Sequence, residues 1–329
     1  MNIYDIAKEA GVAASTVSRV INNKPGIKAE TRERINRLLK KYDYSPNETA
    51  RGLANRSSRT IGILIPDIRE LNHTTCAFTI QSELSAGGYF TVIINTGENE
   101  DDLPGHLRLL RQRQVDGLVM IGSFYQRPKV EAQLVEFLPS IPIVMANGSL
   151  DLPNVHNVIM DEVSGVANMV DLLWRKGRRN FAFVTTEKRI AASDRKLEGF
   201  RRGLAAHGIR DDLRIHRCEN SPQGGYEVTR EIVRLHPEVD AIMFSWDLEA
   251  TGALRALVDM GVKVPDRIAV TGLDNSLYCE LCYPKLSSVD VKPRDMCIAA
   301  ARTILELLSG AESIRNLVIP PALVEREST

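Results

Sequence analysis

Ile3-Tyr4-Asp5-Ile6-Ala7-Lys8-Glu9-Ala10-Gly11-Val12-Ala13-Ala14-Ser15-Thr16-Val17-Ser18-Arg19-Val20-Ile21-Asn22 divides into two apolar-periodic segments around a glycine. Ile6, Ala7 and Ala10 recur at helical spacing over Ile3–Ala10, and Gly11 supplies the left-handed geometry that ends a helix and lets the chain reverse. The second segment, from about Ala13 to Asn22, turns Val17, Val20 and Ile21 inward and Ala14, Ser15, Ser18 and Arg19 outward. Lys24-Pro25-Gly26 is a turn, and Lys28–Tyr42 forms a third helix with Ile35, Leu38, Leu39 and Tyr42 along its apolar side. Two short helices around a glycine turn, the second exposing small polar residues and an arginine, make a helix-turn-helix. In that motif the second helix enters the major groove of DNA with its first residues at the base edges.

Charge agrees with that reading. The whole chain is neutral, with 42 basic and 42 acidic side chains, yet residues 1–59 hold twelve Lys and Arg against six Asp and Glu. The head is thus +6 and the remainder −6, which suits a polyanion partner at one end only. The 329 residues exceed one ordinary domain. No apolar run approaches the ~20 residues of a membrane span, and the N-terminus lacks a secretory leader. Cys76, Cys218, Cys279, Cys282 and Cys297 are scattered and odd in number. Cys279 and Cys282 form a C-x-x-C without a second pair or a histidine cluster, so reduced cytosolic thiols are the better reading than a metal or redox site.

Within the head, Tyr4-Asp5-Ile6-Ala7, Ala10-Gly11-Val12, Thr16-Val17-Ser18-Arg19-Val20 and Tyr44-Ser45-Pro46-Asn47 resemble the lac/galactose repressor family. The resemblance implies that Ala14, Ser15 and Arg19 read base edges and that Tyr4, Thr16 and Ser18 contact the phosphate backbone. Ala13 departs from it, standing where the family commonly has a serine. Arg19 has the chemistry to donate two bonds to guanine, worth ~1–3 kcal/mol of discrimination; the plainer alternative is a phosphate contact or a salt bridge. From Pro46 to Arg56 the chain joins head to body. Asn47 suits a helix N-cap, with Ala50, Leu53 and Ala54 following, but the segment is too short to be stable alone. The resemblance makes this a hinge helix in the minor groove, with Asn47 and Ala50 at the DNA and Leu53 wedged between base pairs; the alternative is that Leu53 packs within the linker.

From Thr60 onward short β-branched runs alternate with helical stretches. Strands are expected over 60–66, 90–95, 115–121, 141–146, 155–160, 181–185, 213–217, 241–244 and 268–271. Helices are expected over 75–87, 164–177, 193–207, 225–235 and 248–261. This alternation argues for parallel sheets covered by helices, and about ten strands are too many for one sheet, so two lobes follow. Ligands in such folds bind at the carboxyl ends of the strands.

The resemblance extends over the whole chain, through Ile61-Gly62, Val115-Asp116-Gly117, Asp194-Arg195 with Gly199-Phe200, Val264-Pro265-Asp266, Gly272-Leu273-Asp274 and the tail from Leu323. It implies an all-α helix-turn-helix head on an α/β, periplasmic-binding-protein-like body of two parallel-sheet lobes. The expected divisions are 1–45 for the DNA-binding domain and 46–59 for the hinge helix and linker. The effector-binding and dimerisation domain takes 60–329, its N-lobe 60–160 with 292–319 and its C-lobe 161–291 with 320–329, joined by three crossings.

Asn72, His73, Phe124, Asn147, Trp246 and Asp274 fall just after strand ends, and Arg195 opens the helix after 181–185. An arginine, an aspartate and an aromatic plate are suited to a polyhydroxylated ligand. Arg195 and Asp274 match positions that bind effector in the family. Glu70-Leu71-Asn72-His73 replaces the family's Asn-Pro-Phe, and Trp246 replaces an asparagine, so the pocket is reshaped. For His73, Phe124 and Trp246 the alternative is ordinary packing; for Arg195 and Asp274 it is an interlobe salt bridge.

No Gly-rich phosphate loop, nucleophile elbow or metal-ligand cluster is present, so no enzyme, cofactor or metal is expected. The expected molecule is a homodimeric, cytoplasmic, nucleoid-associated bacterial regulator. It would bind double-stranded operator DNA and a small effector, a sugar by preference, and repress carbohydrate-utilisation genes. The alternatives are an activator or a regulator with a purine or nucleoside corepressor, then a sugar transport receptor or carbohydrate enzyme. The tail adds no leucine heptads, so no tetramer through a terminal coiled coil is expected.

Overall fold

The computed structural model describes residues 2–21, 23–44, 57–210 and 214–329, and divides into two compact units, Met1–Arg59 and Thr60–Thr329. The first unit holds α1 (Ile3–Glu9), α2 (Ala14–Ile21) and α3 (Ala29–Lys41). Asn2 and Asp5 start α1 with a reciprocal capping box: Asn2 Oδ1 accepts from the Tyr4 and Asp5 amides, and the Asp5 carboxylate accepts from the Asn2 amide. Gly11, at φ +62°, makes the reversal into α2. Ile6, Ala7, Ala10, Val17, Val20 and Ile35 form the buried core. Glu9 ties α1 to the end of α3, accepting from Lys41 Nζ and Tyr42 Oη at 3.0 Å each. Those bonds, Lys41's first, hold its carboxyl below the usual range. Asn47, Ala50 and Leu53, the expected hinge residues, lie outside the described residues.

The second unit runs β1 (Thr60–Ile65), α4 (Leu71–Ala86), β2 (Phe90–Asn95), α5 (Leu103–Gln112) and β3 (Gly117–Ile121). It continues through α6 (Pro128–Phe137), β4 (Ile143–Ala146), β5 (Val155–Met160), α7 (Glu162–Arg175) and β6 (Phe181–Thr186). Next come α8 (Ala191–Ala206), β7 (Arg214–Cys218), α9 (Pro222–Leu235), β8 (Ala241–Phe244) and α10 (Asp247–Asp259). It closes with β9 (Ala269–Leu273), α11 (Tyr278–Leu281), β10 (Ser287–Asp290), α12 (Pro293–Leu308), β11 (Asn316–Ile319) and β12 (Ala322–Val324). One sheet has the order β11-β5-β4-β3-β1-β2 and the other β12-β10-β9-β8-β6-β7. Every strand pair is parallel except β10 with β12.

Strands buried on both faces explain the continuous apolar runs, as in Ile63, Leu64 and Ile65 of β1. The chain passes between the sheets three times, after β5, after β10 and after β11. On the second passage Lys292 takes φ +53°, and α12 then packs across β3, β4 and β5 and against α4.

Several boundaries differ from the sequence expectation. Helix α4 begins at Leu71, not at residue 75, because the Thr74 and Thr75 hydroxyls bond back to the Glu70 and Leu71 carbonyls inside the first turn. Such threonines read as loop in sequence. Asn72 and His73 therefore stand on a helix and not in a strand-end loop. Helix α8 begins at Ala191, so Arg195 sits in its second turn and does not open it. Strands β11 and β12, only four and three residues long and half-buried or exposed, offer no period to read.

The junction of α9 with α10 governs the cleft below. A Cβ on Gly252 would stand 1.8 Å from the Pro222 carbonyl oxygen, and one on Gly225 would stand 1.9 Å from that of Glu249. The two helices thus meet backbone to backbone, which fixes the first turn of α10 with Asp247 and Glu249.

Candidate ligand cleft and DNA-reading face

Two adjoining cavities of about 110 Å³ and 480 Å³ lie between the lobes of the second unit and share Asn72, Trp246 and Asp274 in their walls. His73, Phe124 and Asn147 line the smaller one. Of the seven expected effector residues, the structure thus brings six to the cavity walls. Arg195 is not among the lining side chains; its neighbour Lys196 is.

Arg195 instead braces the wall from behind. Its Nε donates to Glu162, and its Nη2 donates to Asn147 Oδ1 at 2.9 Å. Asn147 returns a bond from Nδ2 to Glu162 Oε1 at 3.2 Å. Asn147 has φ +64°, a conformation asparagine tolerates better than most residues. Glu162, 1% exposed, is charge-balanced by Arg195, whose Nη1 also donates to Gln126 Oε1 at 3.4 Å.

Lys196 is buried to 1% exposure. Its Nζ donates to the Ser245 carbonyl at 2.8 Å and lies 3.3 Å from the centroid of the Trp246 ring. One face of the indole is therefore occupied by the protein's own ammonium. Behind it stand two buried carboxyls. Burial pushes Asp274 up to about 7 and Glu249 up to about 8, with Lys196 opposing the rise in both. Asp247 is buried too, and burial raises its carboxyl even though Ser276 N–H and Ser288 Oγ donate to it at 2.7 Å.

Several contacts cross the cleft. Asn72 Nδ2 donates to Asp274 Oδ2 at 2.6 Å, the Ala192 amide donates to Ser123 Oγ at 3.0 Å, and Lys188 pairs with Glu98 at the mouth. His73 Nδ1 faces the Asp67 carbonyl at 3.0 Å and Glu70 Oε2 at 3.3 Å. Phe124 packs edge-on to Tyr125 with centroids 5.4 Å apart, beneath the Arg127 guanidinium.

Glu162, Lys188, Lys196 and Glu249 are the site residues that sequence reading misses. One clue was present for Lys196. It shares the stripe of Ala192, Ser193, Gly199, Phe200 and Gly203 on the buried side of α8, so its amine had to end inside the fold.

In the first unit, Tyr4, Ser15 and Arg19 are exposed, and Ala14, Thr16 and Ser18 are half-buried. Ser15 and Arg19 are one turn apart on α2. The Arg19 guanidinium donates to the Pro25 carbonyl at 3.0 Å, which holds the side chain beside the turn between α2 and α3. Among the described residues no group of three or more His, Cys, Asp or Glu side chains is placed to hold a metal. Cys279 is buried and burial pushes its thiol well up, which leaves it unreactive.

Residues 2–47 match the bacterial regulatory proteins of the lacI family, and residues 170–329 match a periplasmic binding protein-like domain. Over 332 residues the chain is 30% identical to an HTH-type transcriptional regulator of Lachnoclostridium phytofermentans, covering 100% of this chain and 99% of that one. The chain belongs to the lacI family. This lacI-family protein is also 29% identical to catabolite control protein A of Staphylococcus epidermidis, over 100% of its own length and 99% of the relative's. Its fold matches that of a lac repressor dimer bound to operator and the anti-inducer ONPF, with a TM-score of 0.90, 23% identity and coverage of 100% and 99%. A transcriptional regulator CelR–cellobiose complex matches with a TM-score of 0.73 at 27% identity, over the full length of both chains. As a member of the family, the protein is a DNA-binding transcriptional regulator. Among its described residues no helix is long and apolar enough to cross a membrane.

Proposed function

We propose that this lacI-family regulator is a homodimeric, cytoplasmic repressor of carbohydrate-utilisation genes, controlled by a sugar bound between its lobes and without catalytic activity. Residues 1–45 read the operator, 46–59 form the hinge, and 60–329 bind effector and dimerise, divided into lobes as the sequence suggests. Arg19, Ser15 and Ala14 meet base edges, with Tyr4, Thr16 and Ser18 on phosphates and Asn47, Ala50 and Leu53 in the minor groove. The observation that carries the reading is the Asn72–Asp274 bond across a cavity walled by hydrogen-bonding side chains and an indole. A ligand inserted there replaces a protein–protein bond between lobes, so it changes their relative stability in open and closed forms. An effector acts only through such a difference in affinity. Solved relatives support a sugar ligand: CelR is in complex with cellobiose, and a LacI family transcriptional regulator from Enterococcus faecium holds ribose.

The test is a gel shift on DNA upstream of the protein's own gene, with and without candidate sugars. Retardation that a sugar relieves is the expected result. Absence of retardation at low salt overturns the DNA reading, and retardation strengthened by ligand turns the inducer into a corepressor.

A further inference from the structure

Eight carboxylic side chains line the two cavities, against three of Lys or Arg. Four of the eight are already ion-paired or held by hydrogen bonds. Asp67 pairs with Arg69 at 2.6 Å, Glu98 with Lys188, and Glu162 with Arg195 from behind the wall. Asp247 is held by the Ser276 amide and the Ser288 hydroxyl. Asp274 differs. It is 6% exposed, lines both cavities and takes one side-chain bond, from Asn72 to Oδ2. Among the described residues no donor is recorded for its Oδ1. The cation behind it, Lys196, gives its hydrogen bond to Ser245 and must also serve Glu249, whose Oε1 is buried with no partner. Two buried carboxyls thus share one ammonium, and both can ionise together only if a second cation enters the cleft.

We propose that the effector supplies it: the ligand is an amine-bearing sugar whose ammonium docks on Asp274 Oδ1. This rests on the sugar reading above and narrows it. An ammonium there pairs a carboxylate that is otherwise buried without a cation of its own, and a charge-assisted bond is about twice as strong as a neutral one. The surrounding excess of negative charge draws a cation in and repels an acid. Trp246 lines both cavities and offers apolar ring surface for the apolar face of a sugar. Burial already leaves Asp274 and Glu249 carrying protons near neutrality, beside Lys196, Asp247 and Glu162, so an incoming ammonium displaces a proton from Asp274.

Titration calorimetry of the full chain at pH 6, where a sugar amine is protonated, decides the matter. Glucosamine, galactosamine and mannosamine are each compared with the parent hexose, the N-acetyl derivative and the uronate of the same series. At least one amine is expected to bind ~10-fold or more tighter than its parent hexose, as a bond to a charged group implies. Its N-acetyl derivative and the uronate should be weaker still. Asp274→Asn should erase the preference for the amine, with an unchanged circular-dichroism spectrum and a cooperative thermal melt as the check on folding. In the wild-type chain, repeating the titration in buffers of different ionisation enthalpy should show proton release with the amine and none with the hexose. A hexose that binds as tightly as its amine overturns the inference and leaves the sugar reading standing. Failure of every sugar overturns both. Amine binding without proton release, undiminished in D274N, removes Asp274 as the docking group and overturns the proposal.

Discussion

In the head, Tyr4, Ser15 and Arg19 stand in solvent on a core of six buried residues, and their chemistry is offered outward. In the body, Glu162, Lys196, Glu249 and Asp274 are all buried, and their ionisable groups cluster at or just behind the cavity wall before any ligand arrives. The first arrangement costs the fold little, because exposed charges interact weakly with it. The second places four ionisable groups at low dielectric, where each depends on its partner. The contrast teaches where mutation should separate function from stability: cleanly in the head, poorly in the cleft.

The sharpest way to break the contrast is Lys196→Met. It strips both buried carboxyls of their cation, and loss of one partner of a buried pair costs about 3–5 kcal/mol. A thermal melt should show this, and Arg195→Met should also destabilise, because it leaves the buried Glu162 without its cation. The two are told apart by ligand titration: the loss of Lys196, which lines the cavity, should change ligand affinity more than the loss of Arg195, and the reverse result makes the one-residue distinction on α8 wrong. Gly252→Ala tests the scaffold beneath that cluster. Forcing α10 off α9 should cost about 3 kcal/mol, the upper part of the range for overpacking, and lower the Tm by roughly 6–12 °C for a unit of this size.

Arg19→Ala addresses the head. Operator affinity should fall by about 1–3 kcal/mol, with relaxed preference at one base pair, and the melting temperature should hardly move. A uniform loss across all sequences with a shallower salt slope would make Arg19 a phosphate contact. Between neutral and mildly alkaline pH the buried carboxyls of the cleft should respond. Asp274 and Glu249 hold protons more firmly folded than unfolded, where carboxyls titrate near ~4. Their contribution to stability is complete below that value and is lost as pH rises through about 7 and about 8. The effector-free chain should therefore melt lower at pH 8.5 than at pH 5.5, and Glu249→Gln should flatten the slope. The smallest effect belongs to Ala13→Ser. Serine ahead of α2 supplies the capping oxygen that Ala13 lacks and should stabilise the head by about 0.5–1 kcal/mol, visible in chemical denaturation.

The head was legible from sequence because its chemistry is contiguous. Glycine, apolar stripe and exposed arginine fall within Ile3–Asn22, and the stripe places Ser15 and Arg19 outward, although Ala14, expected beside them, is half-buried against the head core. The body yielded its alternation of strands and helices for the same reason. Its cleft did not yield fully, because residues from 72 to 274 meet there and helix register decides which of two neighbours faces in. Arg195 and Lys196 are equally plausible ligand contacts as letters. Only the start of α8 at Ala191 and the burial of Phe200 one turn on put the lysine at the cavity and the arginine behind it. Likewise Asn72 and His73 stood in a stretch whose threonines resemble loop, so their place on α4 was hidden.

The stacking of Lys196 on Trp246 also equips the protein with an optical probe. The chain has two tryptophans, and the other, Trp174, is stacked on His207 and Phe181 away from the cavity walls. With Trp174 replaced by phenylalanine, the emission of the remaining indole would report the occupancy of the cleft, and a stopped-flow trace would time the lobes without any attached dye.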